Sequence, residues 1–75
     1  MSKLYAVWCD NDEVSDAEFF TTKKQALNYV NYLKADSGFH NDDFVKETYT
    51  NGFILSAYGR FTITLQEIIP DTWAN

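Results

Sequence analysis

Positive charge is scarce in this chain. Lysine and arginine together number 6, against 11 aspartates and glutamates, for a net charge of −5. The cations Lys3, Lys23, Lys24, Lys34, Lys46 and Arg60 are scattered, whereas gripping nucleic-acid phosphates takes clustered ones. The composition therefore argues against direct nucleic-acid binding, and against an anionic membrane surface for the same reason. Cysteine occurs once, at Cys9, which rules out an internal disulfide and the disulfide framework of many small secreted domains. Its neighbour is Asp10, the wrong charge for a reactive thiol, so Cys9 reads as a strand residue. Proline occurs once and glycine three times, and no linker, repeat or low-complexity segment interrupts the chain. No run approaches the ~20 apolar residues of a membrane span. The opening MSKLYAVWCD has neither the apolar core nor the cleavage site of a signal peptide. The expectation is a soluble, cytoplasmic protein.

What is present is apolar and aromatic. Of 75 residues, 45% are hydrophobic and 17% aromatic, too many for an intrinsically disordered chain. The length suits one domain spanning 1–75, burying about 60% of its unfolded surface. That is room for one helix on one sheet and none for a cofactor domain; no cofactor is expected.

Lys3 to Cys9, KLYAVWC, is rich in aromatic and β-branched residues and apolar on both alternating sets, which predicts a central strand. Asp10 to Glu18 is an acidic, turn-rich loop, and Ala17 to Thr21 adds a short strand antiparallel to the first. Thr22 followed by Gln25 fits a capping box. Behind it Ala26, Leu27, Val30 and Leu33 recur at helical spacing, with Tyr29 and Tyr32 flanking the stripe. Gly38 supplies the left-handed stop. Phe39 to Asp43 reads as a polar loop. After it, Asn51-Gly52 and Gly59-Arg60 each separate strand-like runs, predicting two hairpins with two-residue turns. Pro70 ends the last strand, leaving Trp73 in the tail. The fold class is α+β: an antiparallel sheet of four or five strands with one helix packed on one face, in the order β(β)αβββ.

Two-residue turns set the register. They put Val45, Tyr49, Ile54, Tyr58, Phe61, Ile63 and Leu65 under the helix. They put Phe53 and Leu55 on the opposite face, beside Lys46, Thr48, Ala57, Thr62, Thr64 and Gln66. One helix covers one face only, so Phe53 and Leu55 form a candidate apolar contact for a partner or a second copy.

No motif carries catalysis. Asp10-Asn11-Asp12 opens like a calcium loop, but Val14, Ser15 and Thr21 stand where a ligand, glycine and glutamate are needed, so no metal site is expected. His40 lies near Asp42 and Asp43 without a serine or cysteine nucleophile in a strained turn, so no enzyme is expected. Gly38, Gly52 and Gly59 each serve a turn and build no phosphate cradle. The acids themselves are the more telling feature. Asp10, Asp12, Glu13, Asp16 and Glu18 precede the helix, and Asp36, Asp42 and Asp43 follow it. Brought together, these carboxylates would attract a basic surface such as a nucleic-acid-binding groove, as a DNA mimic does.

A compact, acidic, aromatic-rich single domain of this organisation, with KLYAVWC as first strand and FTTKKQALNYVNYLKAD as capped helix, resembles small bacteriophage proteins that disable a host machine. Anti-CRISPR and anti-restriction inhibitors and inhibitors of host polymerases are of this kind. The resemblance implies stoichiometric binding to a host protein partner that handles nucleic acid, without turnover. The alternative is a structural or regulatory subunit that homodimerises through its open sheet face. Salt separates the two, because exposed charges are screened and apolar contacts are not.

Overall fold

The computed structural model describes residues 3–11 and 15–68; Asp12, Glu13, Pro70 and Trp73, named above, lie outside them. The elements are β1 (Leu4–Asp10), β2 (Ser15–Phe20), α1 (Lys23–Ser37), a single 3₁₀ turn (Asn41–Asp43), β3 (Phe44–Tyr49), β4 (Gly52–Ala57) and β5 (Phe61–Ile68). The five strands form one sheet in the order β2-β1-β5-β4-β3, antiparallel at every pairing. This is the α+β fold read from the sequence, with β1 inside the sheet as its two apolar faces require.

The helix follows its local signals. The Thr22 side chain accepts the Gln25 amide hydrogen at 3.2 Å, satisfying one of the orphan donors of the first turn. Gln25 does not close the box onto the cap; its Oε1 takes the Thr21 hydroxyl instead, at 3.5 Å. At the other end Ser37 Oγ donates to the Lys34 carbonyl and accepts the Phe39 amide hydrogen, and Gly38 turns left-handed at φ 82°. Ala26, Val30 and Leu33 are buried against the sheet. Leu27, expected in the same stripe, is 36% exposed.

Both hairpins depart from the expected turns, and the second departure inverts one strand. In the β3–β4 hairpin Tyr49 pairs with Gly52, so Thr50 and Asn51 occupy the turn in place of Asn51 and Gly52. This shift leaves the faces of β3 and β4 in their expected relation. Gly52 is needed for a different reason: a Cβ there would fall almost upon the Leu65 carbonyl oxygen. In the β4–β5 hairpin Ala57 pairs with Phe61, so Tyr58, Gly59 and Arg60 all lie in the loop. Tyr58 and Gly59 take positive φ, 56° and 66°, as a type I′ turn requires. The Arg60 amide donates to the Ala57 carbonyl at 3.1 Å. Arg60 is then one residue more than a two-residue turn holds, and a one-residue slip exchanges the faces of a strand relative to its neighbour.

The core therefore comes from the other set of β4 residues. Leu55 and Ala57 are buried together with Phe61, Ile63 and Leu65, under Ala26, Val30 and Leu33 and beside Val7. Phe53 packs against the edge of this cluster. Val45, Tyr49, Ile54 and Tyr58, expected beneath the helix, are not in the core; Val45, Tyr49 and Tyr58 are exposed. Ile63 and Val7 are fully buried, each worth roughly 1.5–3 kcal/mol in burial alone.

Candidate partner-binding surfaces

The register decides which surface is open. The face away from α1 carries, row by row, Phe19, Ala6 and Gln66; then Ala17, Trp8, Thr64 and Ile54; then Ser15, Asp10, Thr62, Ser56 and Val45. Leu4 pairs with Ile68, and Tyr49 with Gly52, at the far end. No described element covers this face. Phe19 is 60%, Val45 67% and Tyr49 50% exposed, while Leu4, Trp8, Ile54 and Ile68 are half-buried. Its only charges among the described residues are Asp10 and Glu47. The proposed contact pair Phe53 and Leu55 is not part of it. Leu55 is 7% exposed in the core, and Phe53 lies on the helix side. The extra loop residue at Arg60 is the physical cause of this correction.

The acids show a second arrangement. β1 ends, β2 begins, α1 ends and β3 begins at the same end of the sheet, which follows from the antiparallel order. Asp10, Asp16, Asp36, Asp42 and Asp43 are gathered there. They form two groups on opposite flanks. Asp10, Asp16 and Asp36 all act electrostatically on Cys9. Asp42 and Asp43 precede β3, the far edge strand. Four strand spacings of ~4.8 Å separate the edges by roughly 19 Å, about two screening lengths at physiological salt. The two groups thus make one acidic end with two centres. Glu18 lies farther along β2, opposite Val7, on the helix side.

One acid of this end is built into the fold. Asp43 Oδ1 accepts the Tyr58 hydroxyl at 2.6 Å, and Oδ2 accepts the His40 amide at 2.9 Å. The short phenol bond is of the charge-assisted kind. The Tyr58 hydroxyl first, then the His40 amide, hold the Asp43 carboxyl below its ordinary value. The carboxylate in turn pushes the Tyr58 phenol up. The contact ties the 3₁₀ turn to the β4–β5 loop, beneath which Phe39, Phe44 and Phe61 pack ring to ring at 5.9–6.2 Å. His40 enters this arrangement through its backbone.

Burial first, then the carboxylates of Asp10, Asp16 and Asp36, push the Cys9 thiol above its ordinary value, so the thiolate is disfavoured there. Among the described residues no group of three His, Cys, Asp or Glu side chains is placed to hold a metal ion. No described helix is long and apolar enough to cross a membrane.

Sequence reasoning missed Phe19, Val45 and Tyr49 as surface residues. The signal lay in β3, where Val45, Glu47 and Tyr49 alternate with Phe44, Lys46 and Thr48. Both sets are mixed, and alternation alone does not choose between them. No protein-family model, curated protein or solved structure matches the chain.

Proposed function

We propose that the chain is a small acidic binding protein acting by stoichiometric contact with a protein partner. In this proposal the open sheet face is the anchor, and the acidic end meets a basic, nucleic-acid-binding surface on a host enzyme. This is the mode of a phage-encoded inhibitor. The observation that carries the proposal is the open face itself: Phe19, Val45 and Tyr49 stand more than or about half exposed on one side of the sheet, with no described element over them. They stand on the two edge strands, β2 and β3, flanking the half-buried Trp8, Ile54 and Ile68 of the same face, and an exposed apolar face of this kind marks an interaction site. The acidic end supplies steering, which raises association rates and falls with salt.

A second copy is the other occupant that one observation favours. The centre of the face, Ala6, Trp8, Gln66, Thr64 and Ile54, is uncharged, with Glu47 at the β3 edge of the same row, so two copies can meet there with little repulsion. Size weighs against it. Five strands of about six residues project to roughly 500 Å², short of the ~800 Å² per partner of a standard interface. A partner that also reaches the acidic end makes up the difference.

The test is capture of a partner from host lysate by the wild-type chain and by two variants. Val45→Asp with Tyr49→Asp alters exposed face residues, and Asp16→Lys with Asp42→Lys alters the acidic end. The face variant loses the partner at all salt concentrations. The charge variant associates more slowly, and its binding loses most of its salt dependence. A partner retained equally by both variants overturns the proposal. A sedimentation shift to a dimer that the face variant abolishes, with no partner captured, supports the homodimer instead.

A further inference from the structure

The helix side of the sheet holds a feature that this binding mode does not use. α1 lies over β2, β1 and β5, and Phe39 packs on Phe44 and Phe61 at the acidic end of the β3–β4 hairpin. Between the start of α1 and the other end of that hairpin a cleft of about 410 Å³ remains. This is within the ~300–1,000 Å³ of small-molecule sites. Phe53 and Leu65 line it together with Tyr5, Leu27 and Tyr49, and the cationic residues Lys23 and Lys46 line it as well.

Three details of the cleft bear on what it could hold. Leu27 belongs to the apolar stripe of α1, yet it is 36% exposed and lines the cleft instead of joining the core. Lys23 is the first residue of α1, where a cation opposes the helix dipole and does nothing for the helix. Lys46 sits with its Nζ 4.6 Å from the centroid of the Phe53 ring, a cation held over the apolar floor. Neither lysine has a carboxylate within ion-pair distance among the described residues. The acid that does line the cleft, Glu67, is already committed: its Oε1 accepts the Tyr5 hydroxyl at 3.3 Å and pairs with Lys3 Nζ at 3.5 Å. In a chain of net charge −5, two cations over an aromatic and aliphatic floor are complementary to one kind of ligand.

We propose that this cleft binds a small amphipathic anion, an aromatic body carrying a phosphate or carboxylate head. The aromatic body lies on Phe53, Leu65 and Leu27, and the head group sits between Lys23 and Lys46. The site lies on the helix side of the sheet; it meets the open face only at its rim, where Tyr49 and Gly52 line both, and its ligand rests on no part of the partner-binding proposal.

Titration of the full chain with 2-naphthyl phosphate, followed by amide and methyl NMR, tests it. Saturable shifts at Leu27, Phe53 and Leu65 are expected, with Phe19, Trp8, Ile54 and Val45 of the open face unmoved. The uncharged ring, 2-naphthol, binds about tenfold or more weakly. Lys23→Gln with Lys46→Gln changes only exposed side chains, and the unperturbed remainder of the spectrum reports that the fold is kept. This variant brings naphthyl phosphate down to the affinity of naphthol. Equal binding of the two probes to the wild-type chain, shifts centred on Phe19 and Val45, or no saturation tighter than about 1 mM each overturn the proposal.

Discussion

Leu55 and Ile54 are neighbours in β4, and the one-residue excess in the β4–β5 loop decides which of them is core. Leu55 is 7% exposed among Val7, Ile63 and Leu65. Ile54 is half-buried on the open face, opposite Thr64. Leu55→Ala removes a buried side chain and leaves a cavity under α1, a loss of about 2–5 kcal/mol. Ile54→Ala removes a half-buried side chain from a surface, a loss of about 1 kcal/mol, half the value of full burial. For 75 residues the total stability is about 4–11 kcal/mol at ~0.05–0.15 kcal/mol per residue. Leu55→Ala therefore takes a large share of it. The melting temperature should fall by about 4–8 °C for each kcal/mol lost. Urea unfolding followed by circular dichroism reads both variants on the same scale. A two-residue turn at Gly59-Arg60 would reverse their order. If Ile54→Ala proves the more damaging of the two, the register described above is wrong, and with it the identity of the open face.

Two further outcomes follow from the hairpins. Gly52→Ala forces a Cβ onto the Leu65 carbonyl, where backbone must move to admit it; the urea midpoint should drop by the equivalent of about 1–3 kcal/mol, and an unchanged midpoint would mean that β4 and β5 are not so closely apposed. The Asp43 carboxyl is held low by Tyr58 and His40, so its contribution is present above the unfolded carboxylate pKa and is lost as pH falls through the lower folded value. Tyr58→Phe should flatten the fall in melting temperature on acidification below about pH 4, and identical acid limbs for the two proteins would remove the phenol from the account.

Much of the architecture was legible because it is local. The Thr22 cap, the spacing of Ala26, Val30 and Leu33, and the left-handed stop at Gly38 are all decided within a few residues of one another. The doubly apolar KLYAVWC announces an interior strand before any partner is known. The hairpin positions are legible too, since Asn51-Gly52 and Gly59-Arg60 mark where the chain reverses, although the turns themselves fall on Thr50-Asn51 and on Tyr58, Gly59 and Arg60. The turn lengths are not. Whether Arg60 pairs or bulges depends on how the β4–β5 ladder closes, and the apolar residues on both faces of β4 give no local vote. Two-residue turns place Phe53 and Leu55 on the open surface, and the third loop residue, Arg60, moves them to the helix side.

The sequence by itself determined a helix, four or five strands and an acidic excess, because capping, periodicity and composition act over short stretches of chain. Only the tertiary structure decided the sheet order, the face that α1 covers and the gathering of Asp10, Asp16, Asp36, Asp42 and Asp43 at one end of the sheet. Those outcomes depend on pairings between residues far apart in the chain, where a slip of one position exchanges interior for surface.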